Sequence, residues 1–360
     1  MIVRANTMAA LPRQWRRRNW LLAATAASAA LVGCQARARQ SVLRVLAWPG
    51  YADLDWIQAF EQRHGVRVEF TIIGSDDMLR ANLSRPAHGG FDVVAANTVE
   101  LAALLAQGRL LALDPGLLPL RAGQLPRFQQ PIAGTAAQGR LYAVPFTYSE
   151  MGLIYDRRQF EQPPSLGTLW DRRWQGRVLF FDGSAHAFSL AAQARGWAPF
   201  ALQPAQFPVL ARDLVQLRRN LLVLYRLPEE PVELWVRHSV ALMHANYGQQ
   251  QLKMLRDAGL DVGYVVPREG ALAWLDAWAV LQSTQQPQLA QQWINHMLDP
   301  AICAEFSRRQ GLANTLQEPA GLDAASLRGS IVWLEPVEDE EQRQRWWRRI
   351  VAGDRLQGVA

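Results

Sequence analysis

The chain has 360 residues, long enough for two domains, and its 49% hydrophobic and 19% charged content excludes a disordered chain. The net charge of +6 suggests an anionic partner at first sight. Arg4, Arg13, Arg16, Arg17 and Arg18 carry five of those six charges within the first 33 residues, so the remainder is nearly neutral and offers no footprint for nucleic acid.

Residues 1–33 read as an export signal. RQWRRRN supplies a positive start, and WLLAATAASAALVG is an apolar run too short for a comfortable membrane span. The run ends LVGC, which resembles the lipobox of bacterial lipoproteins, in which a small residue precedes a cysteine that accepts a diacylglycerol. Cys34 is then the lipidated first residue of the mature chain, tethered to a membrane by residues 34–42 and facing the periplasm. An ordinary secretory signal that happens to carry a cysteine is the alternative. RRNWL at 17–21 also fits a twin-arginine signal loosely. Beyond Cys34 only Cys303 remains, so no internal disulfide is expected, and DPAICAEFSRRQG places Cys303 on a helix as a small buried hydrophobe. The six histidines are scattered, with no HExxH and no paired CxxC, so neither a metal nor a cofactor is expected.

LRVLAW (43–48) is a compact strand that stops at Pro49-Gly50. DLDWIQAFEQRHG has apolar residues at helical spacing and a stop at Gly65, and VRVEFTII (66–73) is the next strand, which makes a βαβ unit and argues for an α/β fold. FDVVAAN (91–97) reads as a buried strand, VELAALLAQGRL as a helix ending near Gly108, and LYAVPFTYSEMGLIYD (141–156) as a long extended stretch. RVLFFD (177–182), VALMHANY (240–247), VGYVVP (262–267) and ALAWLDAWAVL (271–281) are further strands, and LAQQWINHML is a helix. In the last of these strands the period of two places Trp274, Asp276 and Trp278 on one side. A bare carboxylate between two indoles is costly to bury unless it is paired or solvated, so that side either faces water or lines a site.

In order and spacing, LRVLAWPGYADLDWIQAFEQRHGVRVEF, FDVVAANTVELAALLAQGRL, AVPFTYSEMGLIYD, LWDRRWQGRVLFFD and VVPREGALAWLDAWAV resemble the periplasmic spermidine/putrescine-binding proteins of ABC importers, from about Leu43 to Gly311. The resemblance implies an α/β, two-lobed periplasmic-binding-protein fold of type II, with ligand held in a cleft between lobes joined by crossing strands. It places lobe one at 43–148 with 275–320 and lobe two at 149–274 with 321–360. The crossings then fall near Tyr148–Met151 and Trp274–Asp276. It also implies a monomer that delivers its ligand to a permease in the inner membrane.

A polyamine is a string of ammonium groups on methylenes, and its site needs carboxylates for the charges and aromatic faces for the chain. By resemblance, Trp48 and Tyr51 form one aromatic wall, Trp274 stacks on the ligand, and Asp276 holds an amine. Asp182 is the remaining acid of the opposite wall. Departures from the family pattern follow: Gly183 and His186 stand where acids are expected, His244 where a tryptophan is expected, and Leu312 and Val99 where tyrosines are expected. His186 and His244 are therefore candidate neutral contacts.

Two other roles share this fold: a ligand-sensing subunit for a membrane signalling protein, and a binder of a solute other than a polyamine. An enzyme has no support in the sequence, which carries no GxSxG, phosphate loop or nucleotide fingerprint. Near the C-terminus, EPVEDEEQRQRWWRRIVAG puts acids ahead of a basic helix on which Trp346 and Trp347 are expected to pack against lobe two.

Overall fold

The structure is a computed structural model and describes residues 41–74, 76–84, 90–318 and 331–354. The export signal, Cys34 and residues 35–40 lie outside the described residues.

Strand β1 (Val42–Ala47) leads through Pro49-Gly50 to α1 (Leu54–His64), which ends at Gly65, and on to β2 (Arg67–Ile72). Then come α2 (Asp76–Ser84), β3 (Val93–Asn97), α3 (Thr98–Ala106) and the single turn α4 (Pro126–Gln129). A small hairpin, β4 (Ala136–Ala137) and β5 (Arg140–Leu141), precedes β6 (Ala143–Glu150) and β7 (Leu153–Asp156). The following segment holds β8 (Val178–Phe181), α5 (Ser184–Ala194), α6 (Phe207–Asn220), β9 (Leu221–Tyr225), α7 (Glu230–Arg237), β10 (Leu242–His244), α8 (Gly248–Asp257) and β11 (Val262–Val265). The chain finishes with β12 (Ala271–Val280), α9 (Pro287–Met297), α10 (Pro300–Gln310), β13 (Ala313–Asn314), β14 (Ile331–Trp333) and α11 (Glu340–Val351).

These strands build two sheets. One is seven-stranded in the order β13-β6-β12-β3-β1-β2, with β14 also paired to β12. The other is five-stranded in the order β11-β7-β10-β8-β9. β1 runs parallel to β2 and β3, as the βαβ reading requires, whereas β12 returns antiparallel between β3 and β6. Each sheet is covered on both faces. Trp278, Trp293, Phe60 and Phe146 fill one side of the larger sheet, and Leu46, Leu79, Leu101 and Ala279 the other. Fully buried side chains of that size contribute about 1.5–3 kcal/mol each. On the smaller sheet, Phe180, Phe188 and Leu210 lie on one face, and Tyr225, Trp235 and Met243 on the other.

The extended stretch 141–156 breaks at Met151–Gly152, where the chain leaves the larger sheet for the smaller. The return differs from the expectation at Trp274–Asp276. β12 belongs to the larger sheet over its whole length, and the change of sheet comes at residues 266–270, because PREG supplies the turn and ALAWLDAWAV is one uninterrupted strand. Helix α11 packs on α5 and α6 with Trp347 buried, which is where the tail tryptophans were expected.

Candidate functional site

Trp48 and Tyr51 are set by a tight turn. Pro49 followed by Gly50 at φ +76° suits the two central positions of a type II turn, which the Tyr51 N–H closes onto the Trp48 carbonyl at 3.3 Å. The turn sends the Tyr51 ring into a box of Phe146, Trp278 and Phe306, and its hydroxyl donates to Asp276 Oδ2 at 2.6 Å. Asp276 reaches that point from β12, where the pairing with β6 slips between Asp276 and Ala277. Tyr51 is 4% exposed and Asp276 5%. Burial pushes the Asp276 carboxyl up to about 7; the Tyr51 hydrogen bond opposes this and the Asp76 charge adds to it. The Tyr51 phenol is driven well above its ordinary value by burial and by Asp276.

Asp76 was not singled out in the sequence. It opens α2, accepts from Asn97 Nδ2 at 3.0 Å, and lies close enough to Asp276 and Glu100 to raise both carboxyls. Asn97 caps α3, its side-chain oxygen accepting from the Glu100 N–H. From the smaller sheet, the loop after β10 brings Asn246 and Tyr247 over this acidic group. Tyr247 is close enough to Asp76 and Asp276 for both to raise its phenol pKa, which burial lifts to about 12. The indole N–H of Trp274 donates to the Asn246 carbonyl at 2.9 Å, so this half-buried ring bridges the two sheets. Three buried polar atoms on these residues have no hydrogen-bond partner: Trp48 Nε1 and Trp278 Nε1, both donors, and Asn246 Oδ1, an acceptor.

Thus Tyr51 and Asp276 meet directly, Trp274 stands two residues before Asp276 on β12, and Trp48 lies across the turn from Tyr51. The other three candidates take different places. The Asp182 carboxylate is already engaged, Oδ2 by Arg226 Nε and Nη2 at 2.9 and 2.7 Å and Oδ1 by Trp347 Nε1 at 2.9 Å. His244 is fully buried and stacked on Phe180 at 5.1 Å, and burial pushes its pKa down to about 3. Neither of its ring nitrogens makes a hydrogen bond of ordinary geometry. His186 is half-buried, edge-on to Phe181 at 5.4 Å, and its dense surroundings, with the Arg343 charge, push it down to about 4. Both imidazoles are neutral at pH 7. Leu312 belongs to the apolar core around Tyr51 and Phe306.

A further carboxylate escaped the sequence reading. Glu150, the last residue of β6, is fully buried, has no partner on either oxygen, and is raised to about 7 by burial. It stands at the junction of the sheets, where its own carbonyl accepts from the Tyr264 hydroxyl at 3.0 Å. No group of three or more His, Cys, Asp or Glu side chains that could hold a metal ion occurs among the described residues. A surface depression of about 510 Å³ lies elsewhere, lined in part by Asp156, Arg177, Trp235 and His238. Its carboxylate Asp156 is bound by Arg158 and Gln159, so charge chemistry points to the closed seam between the sheets instead.

Comparison with known proteins gives a consistent picture. A family model described as bacterial extracellular solute-binding protein matches residues 55–323. The chain is 23% identical over 348 residues to spermidine/putrescine-binding periplasmic protein 1 of Haemophilus influenzae, covering 89% of this chain and 95% of that protein. It is 25% identical over 332 residues to the putrescine-binding periplasmic protein PotF of Escherichia coli, covering 86% and 88%. Among solved structures, it superposes on the spermidine/putrescine ABC transporter substrate-binding protein PotD of Streptococcus pneumoniae with a TM-score of 0.73 at 16% identity, covering 88% and 99%. The TpPotD lipoprotein of Treponema pallidum gives a TM-score of 0.73 at 16% identity, covering 86% and 99%. These matches show a two-lobed periplasmic-binding-protein fold, each sheet being the centre of one lobe.

Proposed function

The chain belongs to the bacterial extracellular solute-binding proteins, and from that premise we propose that it captures a small cationic amine between its lobes and presents it to an ABC permease. One observation carries the reading. Asp276 is buried on the Tyr51 hydroxyl, the half-buried Asp76 lies close enough to raise its carboxyl, and Tyr247 from the other sheet feels both charges. An ammonium group would supply the buried Asp276 carboxylate, whose side-chain donor is the Tyr51 hydroxyl, with a compensating positive charge and N–H donors. Its methylenes lie against aromatic faces, where a desolvated cation–π contact contributes about 2 kcal/mol. The names of the relatives, which are spermidine- and putrescine-binding proteins, support the same ligand class.

In this reading the protein binds and does not transform its ligand, and no cofactor enters. It acts as a monomer on the periplasmic side, anchored through lipid on Cys34. No helix among the described residues is long and apolar enough to cross a membrane. In this reading the lobes divide as residues 43–148 with 275–320 and residues 149–274 with 321–360, except that β14 (Ile331–Trp333) pairs with β12 in the larger sheet. β12 lies in the larger sheet from Ala271 onward, which supports counting 271–274 with lobe one. Trp48, Tyr51, Asp76, Trp274 and Asp276 are the ligand contacts of lobe one; Asn246, Tyr247 and His186 are those of lobe two. Asp182 and His244 support that wall from behind.

A thermal-shift panel at pH 8 tests the proposal, with amines, amino acids and sugars each in excess. A ligand at a hundredfold excess over its dissociation constant adds about 2.7 kcal/mol of stability, so amines must raise the unfolding midpoint. A shift with sugars or acidic amino acids and none with amines would overturn the reading.

A further inference from the structure

Tyr247 meets the loop from Arg226 to Glu230 that joins β9 to α7, its hydroxyl donating to the Arg226 carbonyl at 3.3 Å. Three carboxylates of lobe two lie on or against this loop, and the fold occupies two of them. Asp182 is held by the Arg226 guanidinium at 2.9 and 2.7 Å and by the Trp347 indole N–H. Glu230 turns back on the loop and accepts from the Arg226 N–H at 2.7 Å. Glu229 is exposed, and its carboxylate makes no hydrogen bond or ion pair among the described residues. Burial lifts the Tyr247 phenol to about 12, and the next largest influence on it is the Glu229 charge, ahead of Asp76 and Asp276. Carboxylates of both lobes therefore act on this one hydroxyl. Asn246, beside it in the chain, is 6% exposed; its amide is close enough to Tyr247 to lower that pKa, and its own Oδ1 is buried without a partner. Glu229 and Asn246 Oδ1 lack the same thing, a donor, and an ammonium or guanidinium group carries several.

We propose that Glu229 is a ligand contact of lobe two, taking the outer cationic group of a ligand whose inner ammonium sits at Asp276, so that the two ends are recognised on different terms. This rests on the reading of the cleft as a cation site and adds the residue that reads a second charge. The inner end meets a carboxylate that is 5% exposed and already holds the Tyr51 hydroxyl, against the Trp278 ring. There every N–H of the ligand has to find a protein acceptor, which restricts that end to a small primary ammonium. The outer end meets a single carboxylate with water around it. Only charge is read there, so a guanidinium or an N-alkylated ammonium fits as well as a primary one. The contact is that of an exposed ion pair, modest in size and weakened by salt.

The experiment is calorimetric titration of the full chain at pH 8 with putrescine, 4-guanidinobutylamine and butylamine, the last carrying a single charge. Glu229→Gln is compared with Glu233→Gln, which removes the same charge one turn along α7, where Glu233 pairs with Arg237. The Glu229 side chain makes no capping bond to α7, so its replacement leaves the fold intact, which a melting curve verifies. At low salt, Glu229→Gln is expected to weaken putrescine and 4-guanidinobutylamine about fivefold and to leave butylamine unchanged. At about 1 M salt the loss should shrink to within about twofold. Glu233→Gln is expected to change none of the three. Unchanged putrescine affinity in Glu229→Gln, or an equal loss in Glu233→Gln, would overturn the role of Glu229 and leave the cation reading standing. Binding of putrescine with exclusion of 4-guanidinobutylamine would overturn the tolerance of the outer end. Binding of a sugar or a carboxylate with none of the three amines would overturn both readings together.

Discussion

Tyr51 and Asp276 meet at 2.6 Å in a box of aromatic rings, and what matters chemically is which of them holds the proton. Burial raises the Asp276 carboxyl from its ordinary value to about 7, so the folded protein binds that proton more tightly than the unfolded chain does. Its contribution to stability is therefore complete at low pH and is lost as pH rises from about 4 to about 7. Ligand binding has the opposite slope, since an ammonium needs the ionised carboxylate. Amine affinity is expected to rise about tenfold per pH unit up to about pH 7 and then level off, which titrations at pH 5, 6, 7 and 8 would show. Asp276→Asn keeps an acceptor for the Tyr51 hydroxyl but removes the charge. It should weaken amine binding about tenfold or more and raise the melting midpoint at pH 8, where the native carboxylate is ionised against its burial; unchanged affinity would take Asp276 out of the site. Glu150 makes a separate test because it has no partner to lose. Glu150→Gln should stabilise the protein at pH 8 by about 2 kcal/mol and leave it unchanged at pH 5, where the native carboxyl is already neutral.

Helix α11 is pinned by one fully buried arginine. Arg343 pairs with Glu338 through two hydrogen bonds and donates to Ser189 Oγ and to the carbonyls of Ala185 and Pro199, fastening the helix to α5. Arg343→Leu leaves Glu338 without its ion-pair partner, holding only the Leu202 N–H, and should destabilise the protein by about 3 kcal/mol in urea unfolding. The same helix delivers Trp347 to Asp182. The elements themselves were legible in the sequence: Pro49-Gly50 and Gly65 bound the first βαβ unit, and the alternation in ALAWLDAWAV gave β12 with Asp276 and both tryptophans on one face. Pairings across long sequence separation were not legible. Arg226 reaches Asp182 over 44 residues and Trp347 over 165, so the acid that looked available for ligand is spoken for in the fold. Asp76 was missed because GSDD reads as a turn, and only the Asn97 amide, 21 residues on, shows where its carboxylate points. His244 looked like a cleft residue because of the position it fills in the family pattern, but β10 turns it into the core against Phe180.

At the scale of the whole molecule, the chain passes between the lobes where β6 leads into β7, where β11 leads into β12, and where β14 leads into α11. Gly152 sits at the first passage, and a Cβ there would stand 2.5 Å from Tyr264 Cζ and 2.6 Å from the Val265 carbonyl oxygen. Gly152→Ala must push these apart and loosen the Tyr264 hydrogen bond to Glu150. A destabilisation of about 1–3 kcal/mol is expected, together with a larger radius of gyration in small-angle scattering of the unliganded variant. Sheet order has a further consequence, for how the protein comes to exist. β12 lies between β3 and β6, yet β3 ends at Asn97 and β12 begins only at Ala271. A chain emerging from its N-terminus cannot close the larger sheet until nearly 280 residues are out, whereas every strand of the smaller sheet falls between Leu153 and Val265. Long-range closure is slow. The second lobe should therefore gain protease resistance first on refolding, with the half-built first lobe, strands β1 to β3, exposed as the species that a chaperone must hold in the meantime.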